Sequence, residues 1–195
     1  MTLTFQKAFS NSKPSELITQ TLKRAKFIQK HLNVFTSIES EENIRKSALE
    51  ADKRLAQGSI SPIEGLPIVI KDNFCTKNVK TTCCSNMLEP FIPKYDATVV
   101  SKTKKAGGLI IGKSNMDEFG MGSGSIDSIF GPVKSLWRCG SVKYELDEIP
   151  FFNDEKFQPD TSGIGSDDFC IAGGSSGGSV VAVSSGLAFA GLDNF

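Results

Sequence analysis

Between Ser15 and Leu32 the apolar residues Leu17, Ile18, Leu22, Ala25, Ile28 and Leu32 recur at helical spacing behind Pro14-Ser15, a start signal, and predict an amphipathic helix. Val34 to Ile38 alternates as a short strand does. Glu41 to Gln57, rich in charge with Ala and Leu between, predicts a second helix that Gly58 terminates. Leu66 to Ile70 is almost wholly apolar, the pattern of a strand buried on both faces. Asp96 to Gly107 then reads as a helix, Leu109 to Gly112 as another buried strand, and Lys113 to Ser125 as a strand-to-loop passage with a short helical turn. The small apolar residues from Val180 to Ala190 predict a buried helix. Strand and helix alternate, which favours an α/β fold.

Composition narrows the classes. A chain of 195 residues can bury a sizeable core as one domain or form a piece of a larger one. Lys and Arg (22) balance Asp and Glu (22), leaving no electrostatic footprint for nucleic acid. Five cysteines, only Cys83 and Cys84 adjacent, suit a reducing compartment better than a disulfide framework or a metal site. No apolar run approaches a membrane span, and no signal-peptide core is present. The first fifteen residues hold Lys7 and Lys13 and no acid, a weak presequence character without arginine. The single histidine, His31, sits near the end of the first helix, where the dipole or solvent is its expected partner, and it is assigned no chemistry.

The candidate chemistry lies in Ala172-Gly173-Gly174-Ser175-Ser176-Gly177-Gly178-Ser179, where glycines let the chain bend and bring backbone N–H groups and hydroxyls together. A linker would stay polar on both sides, whereas this stretch runs straight into an apolar segment, placing it at a helix N-terminus. A phosphate loop would need a Gly-Lys-Ser/Thr ending, and no lysine follows Lys156. Gly173 to Gly177 fits the G-x-S-x-G pattern with Ser175 as nucleophile, yet no histidine follows it to act as base. An activated serine here needs another base, for which a desolvated lysine is the usual substitute. Lys71, at the end of the apolar strand Leu66 to Ile70, is the candidate, because the C-terminal edge of a buried strand is where open α/β sheets place their sites. The competing reading sends its amine to solvent, as most strand-terminal lysines do.

Taken together, Gly65-Leu66-Pro67-Ile68-Val69-Ile70-Lys71-Asp72, Asp96-Ala97-Thr98-Val99-Val100, Gly112-Lys113-Ser114-Asn115-Met116-Asp117-Glu118-Phe119, Gly131-Pro132-Val133 and Gly173 to Ser179 resemble the amidase signature family, and within it the glutaminase subunits of tRNA-dependent amidotransferases, above all the mitochondrial ones. The likeness spans nearly the whole chain except Arg138 to Phe169 and the last few residues. It implies an α/β amidase-signature fold, a mixed sheet flanked by helices, of which this chain is the N-terminal part of a single domain. It also implies a Ser–cis-Ser–Lys triad in which Lys71 is the base and Ser175 the bridging serine behind a cis peptide, with Met121, Gly122 and Ser123 lining the glutamine pocket.

The family's nucleophilic serine belongs to a later Asp-x-Gly-Gly-Ser segment that would fall beyond Phe195, and Gly191 to Phe195 departs from the family pattern. The resemblance further implies release of ammonia from glutamine to convert Glu-tRNA(Gln) to Gln-tRNA(Gln), partner subunits B and C, and tRNA contacted mainly through the partner. No cofactor is expected in this chain; ATP and Mg are expected in the partner subunit. The implied location is the mitochondrial matrix, with no membrane association. Two other readings stand beside it: a stand-alone amidase acting on small amides, and a catalytically dead fragment that lacks the nucleophile. The interval from Lys71 to Ser175 is longer than in typical bacterial members, and the polar, acidic stretch 138–169 that lengthens it is expected to be a surface insertion or disordered loop.

Overall fold

The computed structural model describes residues 12–58, 61–135 and 170–194; the expected insertion at 138–169 and most of the N-terminal presequence-like stretch lie outside them. Helix α1 runs Pro14–Leu32, with proline at its first position and the Glu16 carboxylate accepting the Lys13 backbone N–H. It stops at Asn33, which takes the left-handed conformation (φ 55°) and returns its N–H to the Gln29 carbonyl. Strand β1 (Phe35–Ile38) follows, then α2 (Glu41–Ala56), whose N-cap hydroxyl on Ser40 accepts the Asn43 N–H at 3.2 Å. The remaining elements are β2 (Pro67–Lys71), α3 (Thr98–Lys105), β3 (Leu109–Ser114), a single 3₁₀ turn at Glu118–Gly120, α4 (Gly177–Ser184) and β4 (Ala190–Leu192).

The four strands form one mixed sheet in the order β1-β3-β2-β4, with β1 antiparallel to β3 and the other neighbours parallel. Side chains alternate across it as the strand period demands. Val69, Leu109 and Ile111 join Ile18, Ile28 and Leu32 of α1, Ile44 and Ala48 of α2, and Val181 and Ala182 of α4 in one core. Ile68 and Ile70 face the other way, onto Val100 of α3. The sheet is thus covered on both sides, as the unbroken apolar runs of β2 and β3 require. The fold is the expected α/β class, a mixed sheet flanked by helices.

Two sequence expectations change. Strand β3 continues two residues past Gly112, because the charge of Lys113 is met inside the protein and the strand need not end there. The predicted helix 180–190 is two elements: α4 begins at Gly177 and ends at Ser184, Gly186 turns at φ 68°, and the Phe189 N–H reaches the Pro67 carbonyl. Ala190 therefore pairs beside Ile68 as part of a parallel strand. A continuous apolar run is buried in either form, so its hydrophobicity alone cannot divide helix from strand. His31 lies in the last turn of α1 as expected, and its ring stands 4.7 Å, centroid to centroid, from that of Phe27 one turn earlier.

Candidate active site

Strand β2 aims Lys71. Two residues beyond Val69 and on the same face of the strand, its side chain passes under the N-terminal loop of α4 and is completely buried. The amino group lies 2.8 Å from Ser175 Oγ and 2.7 Å from Ser176 Oγ, and 3.4 Å from the Asp193 carboxylate. The solvent-seeking reading of this lysine is therefore wrong: helix α4 and β4 close over it, and hydroxyls and a carboxylate replace water. Sequence reasoning misses Ser176 and Asp193. Ser176 stands in the same glycine-serine run, and its role is visible only once the loop folds.

The loop that carries the two serines is fixed from several sides. The Gly174–Ser175 peptide is cis. Gly174 presses against the backbone of the neighbouring loop, where a Cβ would lie 2.3 Å from the Ser123 carbonyl carbon and 2.5 Å from the Gly124 nitrogen, so only hydrogen fits. Gly178 is equally constrained: its N–H donates to the Asn115 carbonyl at 3.0 Å, and a Cβ would stand 2.5 Å from the Asn115 and Val34 oxygens. One turn into α4, the Ser179 hydroxyl shares a buried 2.7 Å hydrogen bond with Ser114 at the end of β3.

Asp117 organises the second wall. Its buried carboxylate accepts the backbone N–H groups of Ser125, Ile126 and Asp127 at 3.0, 2.9 and 3.2 Å, closing residues 117–127 into a knot. Its own N–H donates to the Ser175 carbonyl at 3.3 Å, and the Ser125 hydroxyl accepts the Gly177 N–H at 2.8 Å. Asn115 ties the same region to α1: its Nδ2 donates to the Asn33 and Gly131 carbonyls, while its Oδ1 accepts from Ser128 Oγ at 2.6 Å. Of the predicted pocket residues, Ser123 touches the serine loop through its backbone, Gly122 abuts the Asp117 carboxyl, and Met121 projects outward with 80% of its surface exposed. Lys71 and Ser175 are thus in contact, whereas residues 121–123 form a rim above the serine loop.

A second buried lysine lies one strand away. Lys113 pairs with Asp72 at 3.2 Å and donates to the Phe74 carbonyl at 2.8 Å and to Thr81 Oγ1 at 3.0 Å. Desolvation holds its pKa below the ordinary lysine value, a shift that the Asp72 charge opposes. Because Asp72 directly follows Lys71, this pair locks the turn that leaves β2. The next loop places Cys83 and Cys84 back to back in the left-handed region, at φ 49° and 55°. Burial pushes the Cys84 thiol up to about 12.

A lysine amine sealed from water against two hydroxyls, at a sheet's carboxyl edge, is equipped to move protons between oxygen atoms. The Amidase family model matches residues 16–141. The chain belongs to the Amidase family. Among amidases it is similar to the mitochondrial glutamyl-tRNA(Gln) amidotransferase A subunit of Anopheles gambiae, 45% identical over 84% of this chain and 28% of that protein. The human protein of the same name is 42% identical over 92% of this chain and 32% of its own length. The chain thus spans less than a third of the length of these relatives. Among solved structures it resembles the glutamyl-tRNA(Gln) amidotransferase A subunit of Thermotoga maritima, with a TM-score of 0.62 and 30% identity over 92% of this chain and 30% of that one. A structure described as an amidase gives a TM-score of 0.68 at 29% identity, over 95% of this chain and 36% of that one.

Proposed function

We propose that this amidase chain supplies the base and relay of a glutaminase centre in the A subunit of a glutamyl-tRNA(Gln) amidotransferase. The buried 2.8 Å contact between Lys71 Nζ and Ser175 Oγ carries the reading. In its amine form Lys71 takes the Ser175 proton while Ser175 takes that of a nucleophilic serine, which lies outside this chain. The freed alkoxide attacks the side-chain carbonyl carbon of glutamine. The relayed proton then returns to the departing nitrogen, ammonia leaves, and water hydrolyses the glutamyl ester to glutamate and free enzyme.

Glutamine would enter over the rim formed by Met121, Gly122 and Ser123. The ammonia would serve amidation of Glu-tRNA(Gln) in a partner subunit that brings ATP and Mg, with subunits B and C completing the complex and tRNA bound mainly by the partner. The names of the relatives favour the mitochondrion, and we place the reaction in the matrix. Among the described residues no helix is long and apolar enough to cross a membrane.

The test begins with the endogenous protein, purified with whatever other chains accompany it and mapped by mass spectrometry past Ala190. Peptides that continue into an Asp-x-Gly-Gly-Ser segment, with partner-dependent glutaminase activity lost in Lys71→Ala and Ser175→Ala, are the expected result. Partner-independent turnover of small amides would replace it with a stand-alone amidase, and a native end at Phe195 without turnover would sink the glutaminase assignment.

A further inference from the structure

The even balance of charge over the whole chain hides an uneven distribution. From Leu17 to Leu32, α1 carries Lys23, Arg24, Lys26 and Lys30 and no aspartate or glutamate. The neighbouring α2, by contrast, interleaves Glu41, Glu42, Glu50 and Asp52 with its basic residues. At about 3.6 residues per turn, Lys23, Lys26, Phe27 and Lys30 fall on one stripe of α1, opposite the stripe of Ile18, Ala25 and Leu32 that enters the core. All three lysines are exposed, Lys26 with 73% of its side chain, and they span roughly 10 Å along the helix axis. The Arg24 guanidinium lies elsewhere, against Gly186 at the end of α4. Lys26 meets Glu41 at 3.1 Å, but the same carboxylate also pairs with Arg45 at 2.8 Å, so one negative charge is shared by two cations and the stripe stays positive. Phe27, 40% exposed, stands among the lysines with its ring beside that of His31. The helix end is tied to the candidate active site: the capping residue Asn33 donates to the Phe130 carbonyl at 2.7 Å, and its own carbonyl accepts from Asn115 at 3.1 Å.

We propose that the outer face of α1 is a docking surface for RNA, with Lys23, Lys26 and Lys30 on successive phosphates and the Phe27 ring against a base or ribose. Naming tRNA as that RNA rests on the reading of the chain as an amidotransferase subunit. A row of mobile ammonium groups matches a polyanion, because each phosphate it neutralises releases condensed counterions. An exposed aromatic ring between cations adds the stacking surface that single-stranded RNA segments use. An anionic membrane fits less well: a helix that lies in a lipid interface needs its apolar face free, and that of α1 is spent on the core. The contact is accessory to the partner subunit, holding one stretch of backbone beside the wall that carries Asn115 and Asp117 without reading its sequence.

The test uses the full protein with the chains that accompany it and fluorescently labelled total tRNA as the probe. Binding is followed by anisotropy over a series of salt concentrations in the wild type and in the triple variant Lys23→Gln, Lys26→Gln, Lys30→Gln. A control triple variant, Lys46→Gln, Lys53→Gln, Lys105→Gln, makes the same change of net charge at exposed lysines elsewhere. The α1 variant should bind tRNA about tenfold more weakly at about 0.1 M salt, and its plot of log affinity against log salt should be shallower by about two to three, near one for each phosphate contact removed. Its glutaminase rate without tRNA should equal that of the wild type. Equal tRNA affinity and salt slope in the two triple variants would overturn the proposal. Unchanged tRNA binding together with carbodiimide cross-links from Lys23, Lys26 or Lys30 to the acidic stretch 138–169 would overturn it in favour of that stretch as the occupant. A complex that turns over no glutamine yet loses tRNA in the α1 variant would remove the reading of Lys71 and Ser175 and leave the RNA surface standing.

Discussion

Lys71 Nζ and Ser175 Oγ meet at 2.8 Å although 104 residues separate them in the chain. The contact is made by the sheet: β2 delivers the lysine to its carboxyl edge, and α4, packed over the same face through Val181 and Ala182, delivers the serine. Replacing Lys71 with methionine keeps an unbranched side chain in the buried channel and removes the amine. Under the proposed function, the expected result in the full protein is an unchanged fold and an amide-hydrolysing activity that falls by about 10²–10⁴-fold, the usual contribution of a positioned acid–base group. Circular dichroism and a glutaminase assay on the same preparation separate the two effects.

Asp117 predicts a stability cost rather than a chemical one. Three backbone N–H groups lose their acceptor in Asp117→Ala, that of Ser125 buried and those of Ile126 and Asp127 part-buried, and a buried donor left unsatisfied costs about 1–3 kcal/mol. Partial relaxation of the loop reduces the sum, so urea unfolding should show a loss of about 3 kcal/mol, with Asp117→Asn intermediate. A loss below about 0.5 kcal/mol, the level of ordinary surface substitutions, would remove Asp117 from its place as the knot of the second wall.

Gly178 and Gly124 form a matched pair of tests. A methyl at Gly178 would sit 2.5 Å from two backbone carbonyl oxygens, which have no side-chain freedom with which to yield. Gly178→Ala should cost about 3 kcal/mol, the upper end of the usual overpacking range, and shift the serine loop. At Gly124 the nearest atom to an added Cβ is Ile126 Cγ1 at 3.5 Å, an ordinary contact. Gly124→Ala should unfold within about 0.5 kcal/mol of the wild type. Equal effects at the two positions would contradict the packing described for α4.

The Cys84 thiol gives a pH signature. Its folded pKa of about 12 lies above the ordinary thiol value of 9.0, so above pH 9 the unfolded chain releases this proton while the folded one keeps it. Its contribution is complete below the lower value and is lost as pH rises toward the upper one. Denaturant unfolding between pH 8 and about 11 should therefore show a steeper loss of stability in the wild type than in Cys84→Ser, which keeps a hydroxyl donor facing Asn115 Oδ1. Parallel curves for the two proteins would contradict the burial of the thiol.

Much of this architecture is written locally. Pro14 and Asn33 bound α1, Ser40 caps α2, and the apolar runs through Val69 and Ile111 mark strands covered on both faces, because each depends on neighbours within a turn or on a simple period. The glycine-serine run marks Ser175 as a residue of interest, and the absence of any histidine after it directs the search for a base to a lysine. Sequence alone could not choose between a buried and a solvent-facing Lys71, since that depends on what closes over the strand end. Tertiary structure decided it: β4, which begins at the last residue of what reads as one apolar helix, pairs with β2 and brings Asp193 beside the amine, while Gly174 lets the serine loop descend onto Ser123. Hydrophobic period and capping chemistry act over a few residues and can be read along the chain. The charge and hydroxyl environment of a buried amine is assembled from segments about a hundred residues apart, and exists only after the sheet has formed.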